Sequence, residues 1–117
     1  MISTNIKKIF EIGLVPLVVL DDVNDAVPLA KALVKGGIPV AEVTFRTAVG
    51  GEVIEKMAKE VPEILVGAGT VHDVAHAKEA VEKGAKFIVT PGFNIEVVKW
   101  CVENNIDIVP GTVAPSD

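Results

Sequence analysis

The sequence predicts an α/β fold built on a parallel sheet, and three observations carry that prediction. Apolar, β-branched runs recur at 15–20, 38–45, 64–67, 86–90 and Asp107–Pro110, with starts about 21 to 26 residues apart, the signature of stacked β-α units. Segments with helical spacing fill the gaps at 24–35, 51–59, 73–83 and 94–103. The strand runs are nearly all apolar rather than alternating, as strands covered on both faces require. Strands alternating with helices of this length join through right-handed crossovers into a parallel sheet.

Taken in order, the elements carry their own punctuation. A short N-terminal helix is expected at 5–11, ahead of the first strand. The helix beginning near Asn24 is expected to stop at Gly36-Gly37, where a left-handed cap conformation is open to glycine. Asp73 and Asn94 stand at helix starts, where a short polar side chain accepts from free N–H groups. Lys83-Gly84 closes the third long helix, and Ser116 reads as the N-cap of a further one.

The chain has 117 residues, half of them hydrophobic, with no tyrosine and few aromatics, so the core has to come from Val, Ile, Leu and Ala. This size predicts one domain, residues 1–117. A net charge of −5, with ten lysines spread over the helical segments, argues against nucleic acid, which needs clustered cations. No apolar run reaches membrane-spanning length, and residues 1–10 lack a signal-peptide pattern. The lone Cys101 has no internal disulfide partner, so a cytoplasmic localisation fits best.

Two architectures compete for a parallel α/β pattern. A dinucleotide-binding open sheet calls for a complete glycine fingerprint, but Gly67-Ala68-Gly69 is followed by His72 where the third glycine belongs. A partial (β/α)8 TIM barrel is therefore favoured. A full barrel needs eight strands and typically ~250 residues. About five strands are counted here, so the chain is expected to be the N-terminal portion, with the sixth to eighth strands absent.

The second strand is the informative one. In Ala41-Glu42-Val43-Thr44-Phe45-Arg46, alternation puts Ala41, Val43 and Phe45 on one face and Glu42, Thr44 and Arg46 on the other. Three polar residues on one face of a buried strand are costly unless that face serves a site, and they fall toward the C-terminal end, where barrel enzymes place their chemistry. Arg46 is the sole arginine, and its planar fork suits a carboxylate or phosphate; the alternatives are an internal Glu42–Arg46 pair or a surface position. Partial burial of Glu42 would raise its pKa and suit it to acid/base work, or it would serve only as partner to Arg46.

The third strand ends Gly67-Ala68-Gly69-Thr70, where small residues let a ligand approach the backbone and Thr70 offers a hydroxyl near a helix start. Thr90-Pro91-Gly92 and Pro110-Gly111-Thr112 read as turns first and as site residues only by position. Gly50-Gly51 before a helix reads as a flexible loop rather than an anion cradle. His72 and His76, four apart on one helix, have no third ligand and read as a solvated face, so no metal is expected. Trp100 and Cys101 read as helix packing.

Val40-Ala41-Glu42-Val43-Thr44-Phe45-Arg46-Thr47 followed by Val66-Gly67-Ala68-Gly69-Thr70-Val71 resembles the paired signature of the 2-dehydro-3-deoxy-6-phosphogluconate (KDPG) and 4-hydroxy-2-oxoglutarate aldolases. Ala26-Val27-Pro28-Leu29, Gly36-Gly37, Phe87-Ile88-Val89-Thr90-Pro91-Gly92 and Pro110-Gly111 extend the match over essentially the whole chain. The resemblance implies a trimeric, metal-free, Schiff-base aldolase without cofactor. Such an enzyme cleaves a phosphorylated 2-keto-3-deoxy sugar acid to pyruvate and glyceraldehyde 3-phosphate. It implies Glu42 as the acid/base acting through a water, and Arg46 and Thr70 holding the pyruvate carboxylate beside Pro91.

The family's Schiff-base lysine lies on a sixth strand, and none of the ten lysines here stands at a matching position. This chain alone is accordingly expected to be inactive while its intact parent is an aldolase. The competing expectations are a self-associating half-barrel without catalysis and a phosphate-binding isomerase or synthase barrel.

Overall fold

The computed structural model describes residues 15–45, 49–90 and 94–110. The expected helix at 5–11 and the cap at Ser116 lie outside them. Five strands, β1 (Leu17–Val18), β2 (Val40–Thr44), β3 (Leu65–Gly69), β4 (Phe87–Thr90) and β5 (Asp107–Pro110), form one sheet in the order β1-β2-β3-β4-β5. Every pairing is parallel. Sequential order separates this sheet from a doubly wound one, in which the order reverses at a switch point. It is the order of a barrel wall.

A 3-10 turn at Val23–Asp25 leads into α1 (Ala26–Lys35), and α2 (Gly50–Glu60), α3 (Val74–Lys83) and α4 (Ile95–Glu103) follow their strands. The capping chemistry explains where they start. The Asp73 side chain accepts from the His76 N–H at 2.8 Å, and Asn94 accepts from Glu96 and Val97 at 3.0 and 3.1 Å. Gly84 ends α3 with φ 117°, the left-handed conformation expected of it. No helix among the described residues is long and apolar enough to cross a membrane.

Most boundaries shift by one or two residues from the sequence expectation, and three of the differences have a visible cause. β1 is reduced to two residues, because only Leu17 and Val18 find partners, Glu42 and Val43. The segment expected to be one helix from residue 24 starts with the tight 3-10 turn, held by Asp22 accepting from the Asn24 N–H at 2.9 Å. β3 runs on to Gly69, since its pairing with β2 continues through Thr44.

The helices cover one face of the sheet. Ala41, Val43, Val66, Ala68 and Ile88 point into that side and are buried against helix residues such as Ile54 and Met57. Phe45 joins this cluster at its margin, as its alternation predicts. Burying a side chain the size of Ile or Met contributes about 1.5–3 kcal/mol. The opposite face carries a separate cluster of Val40, Leu65 and Phe87 that contains no helix residue among its buried members.

Candidate active site

Parallel register lays the residues of the face that no described helix covers in rows. Val40 pairs with Leu65, Glu42 with Gly67, and Thr44 with Gly69, while Leu17 flanks Glu42 from β1 and Phe87 flanks Gly67 from β4. The lower row is apolar; in the upper rows β2 supplies the polar side chains, Glu42 and Thr44, toward its C-terminal end. That gradient along one face is what a site at a barrel mouth requires.

Glu42 is half-buried, and burial pushes its pKa above the ordinary 4.5. Its carboxyl lies directly over Gly69: a Cβ built at residue 69 would clash with Glu42 Oε2 and stand 2.8 Å from Cδ. Any side chain at 69 would evict the carboxyl. One row below, a Cβ at residue 67 would collide with the Phe87 ring. The two glycines thus clear space first for the protein's own side chains, a role that the strand-end glycines did not disclose in the sequence. Pairing the parity of β2 with the register of β3 is the signal that would have found it.

Thr44 is fully buried, and its Oγ1 lies 3.2 Å from Thr70 Oγ1. This bond ties the ends of β2 and β3 together across the site. Thr70 has φ 60°, rare for a β-branched residue, and such departures concentrate at ligand sites. Alternation places Thr44 only on a polar face; the structure makes it a partner of Thr70. Arg46 and Pro91, the other two expected site residues, lie outside the described residues.

The remaining candidates resolve into structure. His72 precedes α3 instead of sharing it with His76, because Asp73 caps the helix between them. The His72 carbonyl accepts from Asn94 Nδ2 at 2.7 Å, joining the starts of α3 and α4. His76 Nδ1 sits 2.8 Å from Asp73 Oδ1, with its ring edge-on to Phe45. The His76 N–H above all, with the ring beside it, holds the Asp73 carboxyl below the ordinary range. No group of three metal-ligating side chains occurs among the described residues.

Gly50 and Gly51, expected in a loop, form the first turn of α2. Burial pushes the Cys101 thiol up to about 11, which leaves it inert as a nucleophile. The lysines of the described residues sit on the helices, except the exposed Lys86 just before β4. None stands at the C-terminal end of a strand beside Glu42.

Residues 5–117 match the family model described as "KDPG and KHG aldolase". A 2-dehydro-3-deoxy-phosphogluconate aldolase of Treponema pallidum is 45% identical over 106 residues, covering 91% of this chain and 50% of the relative. The solved 2-keto-3-deoxy-6-phosphogluconate aldolase of Zymomonas mobilis ZM4, with 3-phosphoglycerate, superposes with a TM-score of 0.80 at 42% identity, over 88% of this chain and 49% of that one. KDPG aldolase of Legionella pneumophila, solved with pyruvate captured as a covalent carbinolamine intermediate, superposes with a TM-score of 0.79 at 37% identity, over 87% and 50%. The chain spans about half the length of the curated relatives it matches. With the β2 and β3 signatures assembled into one polar strand-end cluster and the family model covering nearly every residue, the chain belongs to the KDPG and KHG aldolase family.

Proposed function

We propose that this chain supplies the acid/base half of a class I aldolase site that cleaves 2-keto-3-deoxy-6-phosphogluconate to pyruvate and glyceraldehyde 3-phosphate. One observation carries the reading: among the described residues a single carboxyl, Glu42, is half-buried toward the C-terminal end of a strand, raised in pKa by that burial and aimed over Gly69. Such a group holds a proton closer to neutral pH than an exposed glutamate, and so exchanges one readily. The carbinolamine in the Legionella relative supports a covalent bond between pyruvate and the enzyme as the means of activation.

In that reaction an amine condenses with the 2-keto group and loses water, giving a protonated imine. The C3–C4 bond then breaks, its electron pair passes into the imine to form an enamine, and the C4 hydroxyl proton leaves through a water to Glu42. Glu42 returns a proton to C3, and hydrolysis of the imine releases pyruvate. Thr70, held by Thr44, and Arg46 are the partners proposed for the pyruvate carboxylate, with Pro91 beside them. No described lysine stands at the C-terminal end of a strand, so the imine-forming amine is assigned to a segment outside the described residues. The active assembly is proposed to be a cytoplasmic homotrimer.

Borohydride reduction in the presence of pyruvate, followed by intact mass, tests the assignment. A version extended past Asp117 to the length of the Treponema relative should gain one reduced pyruvate adduct, and the 117-residue chain none. Labelling of the 117-residue chain would place the nucleophile among its own ten lysines. Absence of label in both would overturn the aldolase reading.

A further inference from the structure

The row that carries Glu42 has a gap in it. From β1 to β5 it runs Leu17, Glu42, Gly67, Phe87 and Asp107, so β3 alone contributes no side chain. The Phe87 ring fills that gap: three of its atoms, Cδ2, Cε2 and Cζ, crowd the point where a residue-67 Cβ would stand. A ring rooted on β4 thereby leans across β3 toward β2 and Glu42. It is 1% exposed and clusters with Val40 and Leu65, the row immediately below. Beneath Glu42 lies a closed apolar floor; above it, Gly69 leaves an open lane.

A glutamate has three side-chain torsions, and ordering one on a strand costs rotamer entropy. A floor of ring and aliphatic carbons makes the downward rotamers unfavourable, since they would bury the carboxylate without a partner. Only the lane over Gly69 remains, which is where the carboxyl lies. We propose that Phe87 is a positioning residue for Glu42: its ring, seated over Gly67, closes the lower side of the slot and steers the carboxyl into the Gly69 lane. The value of this for proton transfer rests on the aldolase reading above; the positioning itself does not.

Water excluded by the ring is also the simplest source of the desolvation that raises Glu42. Among the described residues, few other groups face Glu42. The Thr44 and Thr70 hydroxyls lie above it, Leu17 beside it, and Asp107 is the one other charged residue of these rows among the described residues. Asp107 lies at the far end, beyond Phe87, so removing the ring changes solvent access without removing a charge partner.

Phe87→Leu and Phe87→Met keep an apolar residue but give up the ring, and Leu65→Val trims the same cluster one row lower. In carbon-detected NMR on the 117-residue chain, with Glu42→Gln assigning the carboxyl, both Phe87 variants should lower the Glu42 midpoint toward that of an exposed glutamate. They should also weaken the nuclear Overhauser contact between the Glu42 γ protons and the Gly69 α protons. Leu65→Val should leave both readouts as in the parent. Unchanged midpoint and contact in a folded Phe87 variant would overturn the proposal, as would an equal response in Leu65→Val. Success here with no pyruvate adduct in the trapping experiment would leave Phe87 in its role and remove the aldolase reading instead.

Discussion

The two faces of this sheet are built from the same strands by opposite rules. On the helix side, Ala41, Val43, Val66, Ala68 and Ile88 merge with the helices into one apolar core. On the other side, apolar packing centres on Val40, Leu65 and Phe87, with Val89 against them, while β2 turns polar with Glu42 and Thr44 and β3 offers two glycines beside them. Alternation along a strand lets one backbone serve both, because adjacent residues belong to different environments. The lesson is that stability and chemistry are separated by a single residue of register. A one-residue slip of β2 would exchange Val43 for Glu42 in the core.

If the helix side carries stability, its truncation should cost most. Ile88→Ala removes a fully buried side chain and should lower the unfolding free energy by about 2–5 kcal/mol in denaturant titration. A loss below that of surface substitutions would break the division between the faces. A smaller effect is expected where the two regions join. The start of α2 rests so close to the end of β2 that a Cβ on Gly50 would stand 2.6 Å from the Thr44 carbonyl oxygen. Backbone cannot yield as a side-chain tip can, so Gly50→Ala should cost about 1–3 kcal/mol and weaken the Thr44–Thr70 bond. An unaltered stability in that variant would show that helix and strand are free to part.

The smallest stability effect is expected on the polar side, and its sign depends on pH. Because the folded pKa of Glu42 is raised, its contribution is fully present below the unfolded value and fades as pH rises through the folded one. Glu42→Gln abolishes that loss. The variant should match the parent in acid and gain on it as pH climbs from the ordinary 4.5 through the folded pKa, reaching a plateau beyond. Thermal midpoints that track one another from about pH 4 to about pH 8 would mean that Glu42 is well solvated.

Much of this was legible in the sequence, and the reasons differ by residue. The strand and helix alternation follows from apolar periodicity, and Asp73, Asn94 and Gly84 cap as their chemistry predicts. The polar face of β2 could be read because alternation alone sorts Glu42 and Thr44 from Ala41 and Val43. The dual role of Gly67 and Gly69 could not, since it depends on which residues of β2 and β4 stand beside them. Likewise the Thr44–Thr70 bond spans 26 residues and is set by β2–β3 register, which no local pattern specifies. The four-residue spacing of His72 and His76 does not put both on one helix, because the Asp73 cap sets the boundary between them.

The sequential strand order has a consequence in time as well as in space. Each strand pairs with the one made just before it: Leu17 meets Glu42, Val40 meets Leu65, and Phe87 meets Asp107. Loop closure between such neighbours is inexpensive, and its entropy cost rises only slowly with length. Contacts of short sequence separation also speed folding. A chain synthesised from its N-terminus can therefore dock each strand as it emerges. Glu42 has its Gly69 lane once β3 has paired, and its apolar floor one unit later, when β4 arrives with Phe87.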